Sequence, residues 1–337
     1  EIYTLSLHDA LPICNHNPAL KDLYTSASML ESYKTEVQSW GGTKTYYRIV
    51  APNTNGYFTS KEPSQAAMNS QSAGWKDSMN DYNVMVVTIA RAAGENRSYL
   101  PGKAGVDPSQ DLNQTDPLGL SDDERDLIAA AVEAKKANGG KVIVLLNNAS
   151  AMEVQELKEN DGIDAMLEIG LPGGYGFYGV ADVLSRAANP PGHLADTYVV
   201  TNANAPSAQN YGDLEWTNAN AEISMNSELV EAENIYIGYK YYETRYADTV
   251  LGQGNASDPV GSSTGSAWNY DSEVTYPFGY GLSYTTFTQT LDDLTVDTNQ
   301  NTITAKVTVT NTGSVAGKDV AQLYVSLPYT DYDKEHA

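Results

Sequence analysis

Carboxylates are the side chains in this sequence best placed for chemistry. Glu95 lies in the loop ARAAGENRSYLPG (90–102), between Arg91 and Arg97 and beside Gly94. A glutamate can give or take a proton when burial or a neighbouring carboxylate holds its pKa up. Its position fits such a role. Glu95 falls just past the carboxyl end of the apolar run 82–90, where ligands bind on open α/β sheets. Gly94 lets the backbone turn sharply beside it. Taken by itself, a glutamate in a polar loop is ordinarily a solvated charge. Arg91 and Arg97 admit two roles: hydrogen bonds to a substrate, or ion pairs that hold the loop.

Other chemistries lack their residues. Cys14 is the single cysteine, so no internal disulfide and no thiolate metal site can form. His8, His16, His193 and His336 are scattered, without HExxH spacing. There is no GxSxG elbow and no GxxxxGK[ST] loop. No metal or organic cofactor is implied. The net charge of −23 and a pI near 4.3 argue against nucleic acid and against an anionic membrane surface. No apolar run approaches the length that spans a bilayer.

The elements that must position Glu95 can be read in order. Tyr82 to Ala90, YNVMVVTIA, is an apolar, β-branched run short enough for a strand buried on both faces. Ser121 opens SDDERDLIAAAVEAKKANGG, a helix with a Ser121/Glu124 capping box, acidic residues in the first turn, Lys135 and Lys136 in the last, and Gly139 as its stop. KVIVLLNN (141–148) is a second buried strand. A helix near 152–159, a short strand near 164–169 and a helix from Pro172–Gly174 to about Arg186 follow. Alternating strand and helix predicts a doubly wound, mostly parallel α/β sheet. Before this, 15–40 has a weak helical pattern, and 41–80 reads as loops with a short helix near 63–79. Residues 200–270 read as irregular and include the aromatic run IYIGYKYYETRY (235–246). Beyond Phe287, TITAKVTVT (302–310) alternates strictly, with Ile303, Ala305, Val307 and Val309 on one face, and DVAQLYVSLP (319–328) reads as another strand. These predict the opening of an antiparallel sandwich. A fibronectin-like sandwich needs about seven strands in about 100 residues, so one confined to 288–337 would be truncated.

Residues 1–13, EIYTLSLHDALPI, resemble a sequencing-adapter oligonucleotide translated in frame, without a gap. On that resemblance they lie outside the fold. Cys14 is then spelled partly by adapter DNA, and the domain that follows lacks its N-terminal part.

YPFGYGLSYTTF (276–287) resembles the signature that closes the α/β domain of family 3 glycoside hydrolases. KVIVLLNN, the stretch DAMLEIGLPGGYGFYGVADVLSRAANPPGHL (164–194), IYIGYKYYETRY and VTVTNTGSVAGKDVAQLYVSLP (307–328) are similar to segments of the same family in the same order. The similarity runs from roughly Asn80 to Pro328. It implies an α/β sandwich domain over 14–287 and a truncated fibronectin III-like domain over 288–337.

The resemblance also implies chemistry. The family draws an aspartate nucleophile from a (β/α)₈-type barrel and its general acid/base from a glutamate in a Ser-Gly-Glu-Gly-like loop of the α/β domain. Here the matching residue is Glu95. The loop departs from the family pattern at Asn96, where a second Gly is usual, and at Ser98-Tyr99 in place of Asp-Arg. His193 stands where the family has Arg, in a structural turn that also carries Pro191 and Ala195 for the usual Ser and Pro. The implied function is part of a retaining exo-β-glycosidase of the β-glucosidase type. Its substrate would be an oligosaccharide or β-glycoside, its partner a barrel docked on this domain, and the chain alone would be inactive. A β-xylosidase or arabinosidase of the same family is the near alternative; a non-catalytic carbohydrate-binding or vestigial module is the distant one. In this reading Arg91 and Arg97 could meet a sugar. Trp75 and Trp268 could stack on one, although packing is the commoner use, as it is for Tyr239–Tyr242. A flavodoxin-like nucleotide site would need a Gly-rich phosphate loop after a strand, and none is present.

Overall fold

The computed structural model describes residues 2–4, 50–52, 58–60, 64–71, 73–91, 118–210, 233–253 and 267–328. The chain divides into two compact units, Glu1–Ala188 and Asn189–Ala337. The weak helical pattern at 15–40 lies outside the described residues.

The first unit runs β1 (Ile2–Thr4), β2 (Val50–Pro52), β3 (Phe58–Ser60), α1 (Gln65–Gln71), a 3-10 turn (Asp77–Asp81), β4 (Val84–Ala90), α2 (Asp122–Asn138), β5 (Lys141–Asn147), α3 (Gln155–Lys158), β6 (Ala165–Glu168) and α4 (Gly173–Leu184). β1, β4, β5 and β6 form one parallel sheet in that order, and β2 pairs with β3. The expected doubly wound sheet is present. Val84, Val86, Ile143, Leu145 and Leu167 pack against Phe177, Val180 and Ala181 of α4. The alternate residues Met85, Val87, Ile89, Val142 and Val144 are buried as well, and α2 packs on β4 and β5. Burial on both faces is why β4 and β5 read as continuous apolar runs rather than alternating ones.

α2 is bounded as its sequence dictates. Ser121 Oγ accepts from the Glu124 amide (3.2 Å), and Glu124 Oε2 accepts from the Ser121 amide (2.8 Å). Gly139 closes the helix at φ 71°, donating to Lys135 O at 2.7 Å, in a left-handed turn that glycine enters without steric penalty.

Residues 1–13 are expected to lie outside the fold, whereas Ile2–Thr4 runs parallel beside Val84–Val86. This pairing uses backbone groups on an open sheet edge, which accepts any extended tripeptide.

Asp164 joins α2 to the start of β5. It accepts from Lys135 Nζ (2.5 Å), Lys141 Nζ (2.9 Å) and the Val142 amide (2.9 Å). Burial pushes its pKa up, but the two lysines and the amide overcome that and hold it down at about 2, against 3.8 ordinarily. The folded pKa is the lower one, so the contribution to stability is full above 3.8 and is lost as pH falls towards 2. Asp164→Asn is expected to destabilise the chain by about 1 kcal/mol at neutral pH, the group being partly exposed. Urea titrations from neutral to acid pH should show that difference vanish at the acid end.

The second unit runs β7 (Tyr198–Val199), a 3-10 turn (Asn202–Asn204), α5 (Pro206–Asn210), α6 (Tyr239–Thr249), α7 (Tyr270–Glu273), β8 (Val274–Tyr276), β9 (Phe287–Asp297) and β10 (Thr302–Asn311). β7 pairs with β8, and β9 with β10, both antiparallel. Within this unit the turn at 189–194 is bound to the 276–287 signature. Asn189 Oδ1 accepts from Ser283 Oγ and the Tyr284 amide, both at 2.8 Å. Leu194 and the signature exchange backbone bonds, Leu194 N to Tyr280 O and Gly279 N to Leu194 O, both at 2.8 Å. His193 Nε2 faces Asp319 Oδ1 at 3.5 Å.

Two expectations for this unit are corrected. Within the run 235–246, read as irregular, residues from Tyr239 onward form helix α6. Its Tyr242 is buried with Val199, Trp268 and Val274, and its Tyr239 stacks on Phe278 at 4.4 Å. Residues 319–328 are not a strand: no ladder among the described residues includes them, and without a partner the alternation of apolar residues cannot by itself make one. In the β9–β10 hairpin, Ile303, Ala305, Val307 and Val309 do share a face, opposite Val296, Leu294, Leu291 and Gln289. Leu291 and Leu294 are three apart and would fall on opposite faces of a regular strand. The register shift opposite Lys306/Val307 leaves Asp292 unmatched and returns both leucines to one side.

Candidate functional site

The strand register defines the site. Ala90 lies opposite Asn147, and Leu146 opposite Glu168. The chain therefore leaves β4, β5 and β6 at one common carboxyl edge. Arg91 is the first residue beyond β4, and its amide donates to Asn147 O (3.2 Å). Asn147 Nδ2 donates to Gly170 O (2.8 Å), and the Gly170 amide to Glu168 Oε1 (2.7 Å). Gly170 and Gly173 stand at φ 58° and 60°, backbone that a side chain would strain, so these glycines make the turn into α4 possible.

Arg91 is turned inward. Nη1 donates to Glu124 Oε1 (2.6 Å) and to Ala90 O (2.8 Å); Nη2 donates to Glu124 Oε2 (2.9 Å) and to Gly119 O (2.5 Å). Both side chains are buried. The Arg91–Glu124 pair therefore joins three things: through Glu124 the cap of α2, and through Arg91 the end of β4 and the backbone at Gly119. Of the two roles open to Arg91, this geometry is the ion pair. It fixes the first residue of the loop that carries Glu95. Glu95 and Arg97 themselves lie outside the described residues.

Asn148, the next residue of the β5 turn, is 2% exposed, and neither Oδ1 nor Nδ2 has a hydrogen-bond partner among the described residues. A buried donor or acceptor left this way costs ~1–3 kcal/mol. In the sequence Asn148 reads only as the end of the strand KVIVLLNN. The available signal was a second asparagine just past a buried parallel strand, at the edge where ligands bind.

The other candidates are packing residues. Trp75 is fully buried, its Nε1 donating to Asn69 Oδ1 (2.8 Å). Trp268 is buried beside Tyr242, with the Arg245 guanidinium 5.3 Å from its ring centre. Burial raises the Tyr242 hydroxyl, with Tyr241 and Glu273 adding to the shift. Among the described residues, no three His, Cys, Asp or Glu group to hold a metal ion, and no helix is long and apolar enough to cross a membrane.

The family model of the glycosyl hydrolase family 3 C-terminal domain matches residues 15–284. This chain belongs to glycosyl hydrolase family 3. A β-glucosidase A of Butyrivibrio fibrisolvens is 28% identical over 265 residues, covering 72% of this chain and 28% of that protein. A probable β-glucosidase I of Aspergillus flavus is 34% identical over 165 residues, 46% of this chain and 15% of that one. Among solved structures, β-glucosidase 3B of Thermotoga neapolitana in complex with α-D-glucose aligns at a TM-score of 0.54 and 27% identity, over 88% of this chain and 33% of its own. A Paenibacillus barengoltzii β-glucosidase shares the fold at a TM-score of 0.59 and 21% identity, over 92% of this chain and 27% of its own. The family 3 chain thus spans about a third or less of the length of the relatives it matches. The family match ends within the 276–287 signature, just before β9.

Proposed function

We propose that this chain is the α/β portion of a retaining exo-β-glycosidase of the β-glucosidase type, with Glu95 as general acid/base. The observation that carries the reading is the family 3 match over 15–284, running through a sheet whose carboxyl edge bears the Glu95 loop. The nucleophile is an aspartate on a (β/α)₈-type barrel outside these residues, docked on this domain. The adapter-like residues 1–13 take no part.

The reaction needs two carboxyls about 5–5.5 Å apart. In the first step the aspartate attacks the anomeric carbon. The bond to the leaving oxygen breaks, and Glu95 gives that oxygen its proton. In the second step Glu95, now a carboxylate, takes a proton from water as the water oxygen displaces the aspartate. Two inversions return the β configuration. Arg91 acts here through the loop, as a positioning residue anchored on Glu124, and Arg97 contacts substrate. A terminal glucose is favoured over xylose or arabinose because the matched relatives are named β-glucosidases, one of them solved with glucose.

The test is hydrolysis of 4-nitrophenyl β-glycosides by the complete protein and by the 337-residue chain. The complete protein is expected to cleave the glucoside faster than the xyloside or arabinoside, and the chain alone to cleave none. A complete protein that binds cellobiose but turns over no glycoside would replace the catalytic reading with a binding module.

A further inference from the structure

His193 has an oxygen facing each of its ring nitrogens. Nδ1 lies 3.2 Å from Pro191 O, and Nε2 lies 3.5 Å from Asp319 Oδ1. The ring is held in place. A Cβ at Gly281 would stand 3.0 Å from its Cδ2, so the imidazole rests against the 276–287 signature. The side chains of His193 and Asp319 are only 22% and 18% exposed.

These two partners decide the ring's hydrogens. A carbonyl oxygen only accepts, so Nδ1 carries a hydrogen. A neutral imidazole has one N–H, and Nε2 would then turn a lone pair toward a carboxylate oxygen. The other neutral tautomer gives up Pro191 O. The imidazolium, with a hydrogen on both nitrogens, serves both partners.

Asp319 is charged where histidine titrates. Its Oδ2 accepts from Gln289 Nε2 at 2.7 Å. That bond holds its pKa below the ordinary 3.8; desolvation works against it, and the Val320 amide and His193 add to it. The neighbouring elements bring few other charges. The signature offers only tyrosines, at 276, 280 and 284, and the turn 189–194 has no charged residue besides His193. Residues 312–328 carry Lys318, Asp319 and Tyr324, and β9 has aspartates at 292, 293 and 297. Histidine is the one side-chain type among these that ordinarily changes charge between about pH 5 and 8.

What the pair holds is the chain after β10, which joins no ladder among the described residues. Side chains fasten it. Asn189 Nδ2 donates to Ala316 O and Gln289 Nε2 to Val320 O, both at 3.1 Å, and Tyr324 meets the Tyr239 ring edge-on at 6.2 Å. Of these anchors, the His193–Asp319 pair is the one whose charge depends on a proton.

We propose that His193 and Asp319 form a proton-dependent latch, closed when the imidazole carries both hydrogens, that fastens residues 315–322 to the turn 189–194. Its hold is full on the acid side. It is lost as pH rises and the Nε2 hydrogen leaves. The latch does not depend on the role of Glu95.

Imidazole nitrogen NMR of the 337-residue chain reads the latch directly, with the His193 signals assigned by substitution. The expected result is a hydrogen on both nitrogens at about pH 5, and loss from Nε2 with Nδ1–H kept at about pH 8. A neutral ring that bears its hydrogen on Nε2 overturns the proposal. Amide hydrogen exchange then reads the segment, with variants compared at one pH. At about pH 8, His193→Arg supplies a permanent cation and should slow exchange of 315–322 by about two- to fivefold against the unchanged chain, the range of a partly exposed ion pair. At about pH 5 those two should match, and His193→Gln should exchange faster than both. Equal exchange of 315–322 in all three proteins at both pH values overturns the proposal, with unchanged protection of α2 showing that each is folded.

Discussion

Glu95→Gln in the complete protein lowers kcat/KM for an alkyl or oligosaccharide β-glucoside by ~10²–10⁴-fold, the range typical of a lost general acid/base. The amide keeps the size of the side chain and removes its proton transfer. The loss should depend on the leaving group. An alkoxide leaves poorly without a proton, so the first step slows by the full factor. A dinitrophenolate leaves without help, so its loss appears in the second step, where no base activates water. Kinetics across aryl and alkyl glucosides check this gradient. A uniform small loss would mean that Glu95 is merely near the site.

Glu124→Ala is expected to destabilise the 337-residue chain by about 3–5 kcal/mol, read as a fall in the urea midpoint. The substitution leaves the Arg91 guanidinium buried without its carboxylate, and it removes the acceptor that caps the Ser121 amide. Desolvating an unpaired charge is the larger of the two effects. Two variants separate them. Glu124→Gln keeps an acceptor for Ser121 and should recover the cap. Adding Arg91→Met to Glu124→Gln also removes the unpaired charge and should recover most of the rest. If the double variant is no more stable than Glu124→Gln, the ion pair is not what holds this edge. In the complete protein the same change should lower activity as well, because Arg91 is the root of the Glu95 loop.

What was legible in the sequence was local. The cap, charge gradient and glycine stop of α2 each involve residues within one turn, so they could be read without knowing the fold. β4 and β5 announced themselves because a parallel strand buried on both faces has no polar alternation. Helix α6 was missed although Tyr239, Tyr242 and Tyr246 recur at helical spacing. Aromatic residues also suit strands, and what decides here is tertiary: Tyr242 enters the Val199–Trp268–Val274 cluster. At 319–328 alternation was present, and among the described residues a partner strand was not. The bulge at Asp292 could not be read either, because it repairs an odd leucine spacing that a regular strand does not allow.

The site was legible only in part, for the same reason. Glu95 was marked by its place after a strand, and its chemistry came from resemblance to a family. Arg91 was undecided between ligand and ion pair because its partner, Glu124, stands 33 residues away, and only the crossover through α2 brings them together. Asn148 carried no periodic signal. What marks it is that both amide atoms lack partners among the described residues, which is a property of packing and not of spacing.

The central claim is that Glu95 is the acid/base of a double displacement whose nucleophile lies elsewhere. Azide rescue of Glu95→Gln tests it most directly. With a dinitrophenyl β-glucoside, the variant accumulates glycosyl-enzyme, and azide needs no base to attack it. The account predicts that azide restores turnover and that the product is the β-configured glycosyl azide. An α-configured azide, or a rate that azide leaves unchanged, would contradict it.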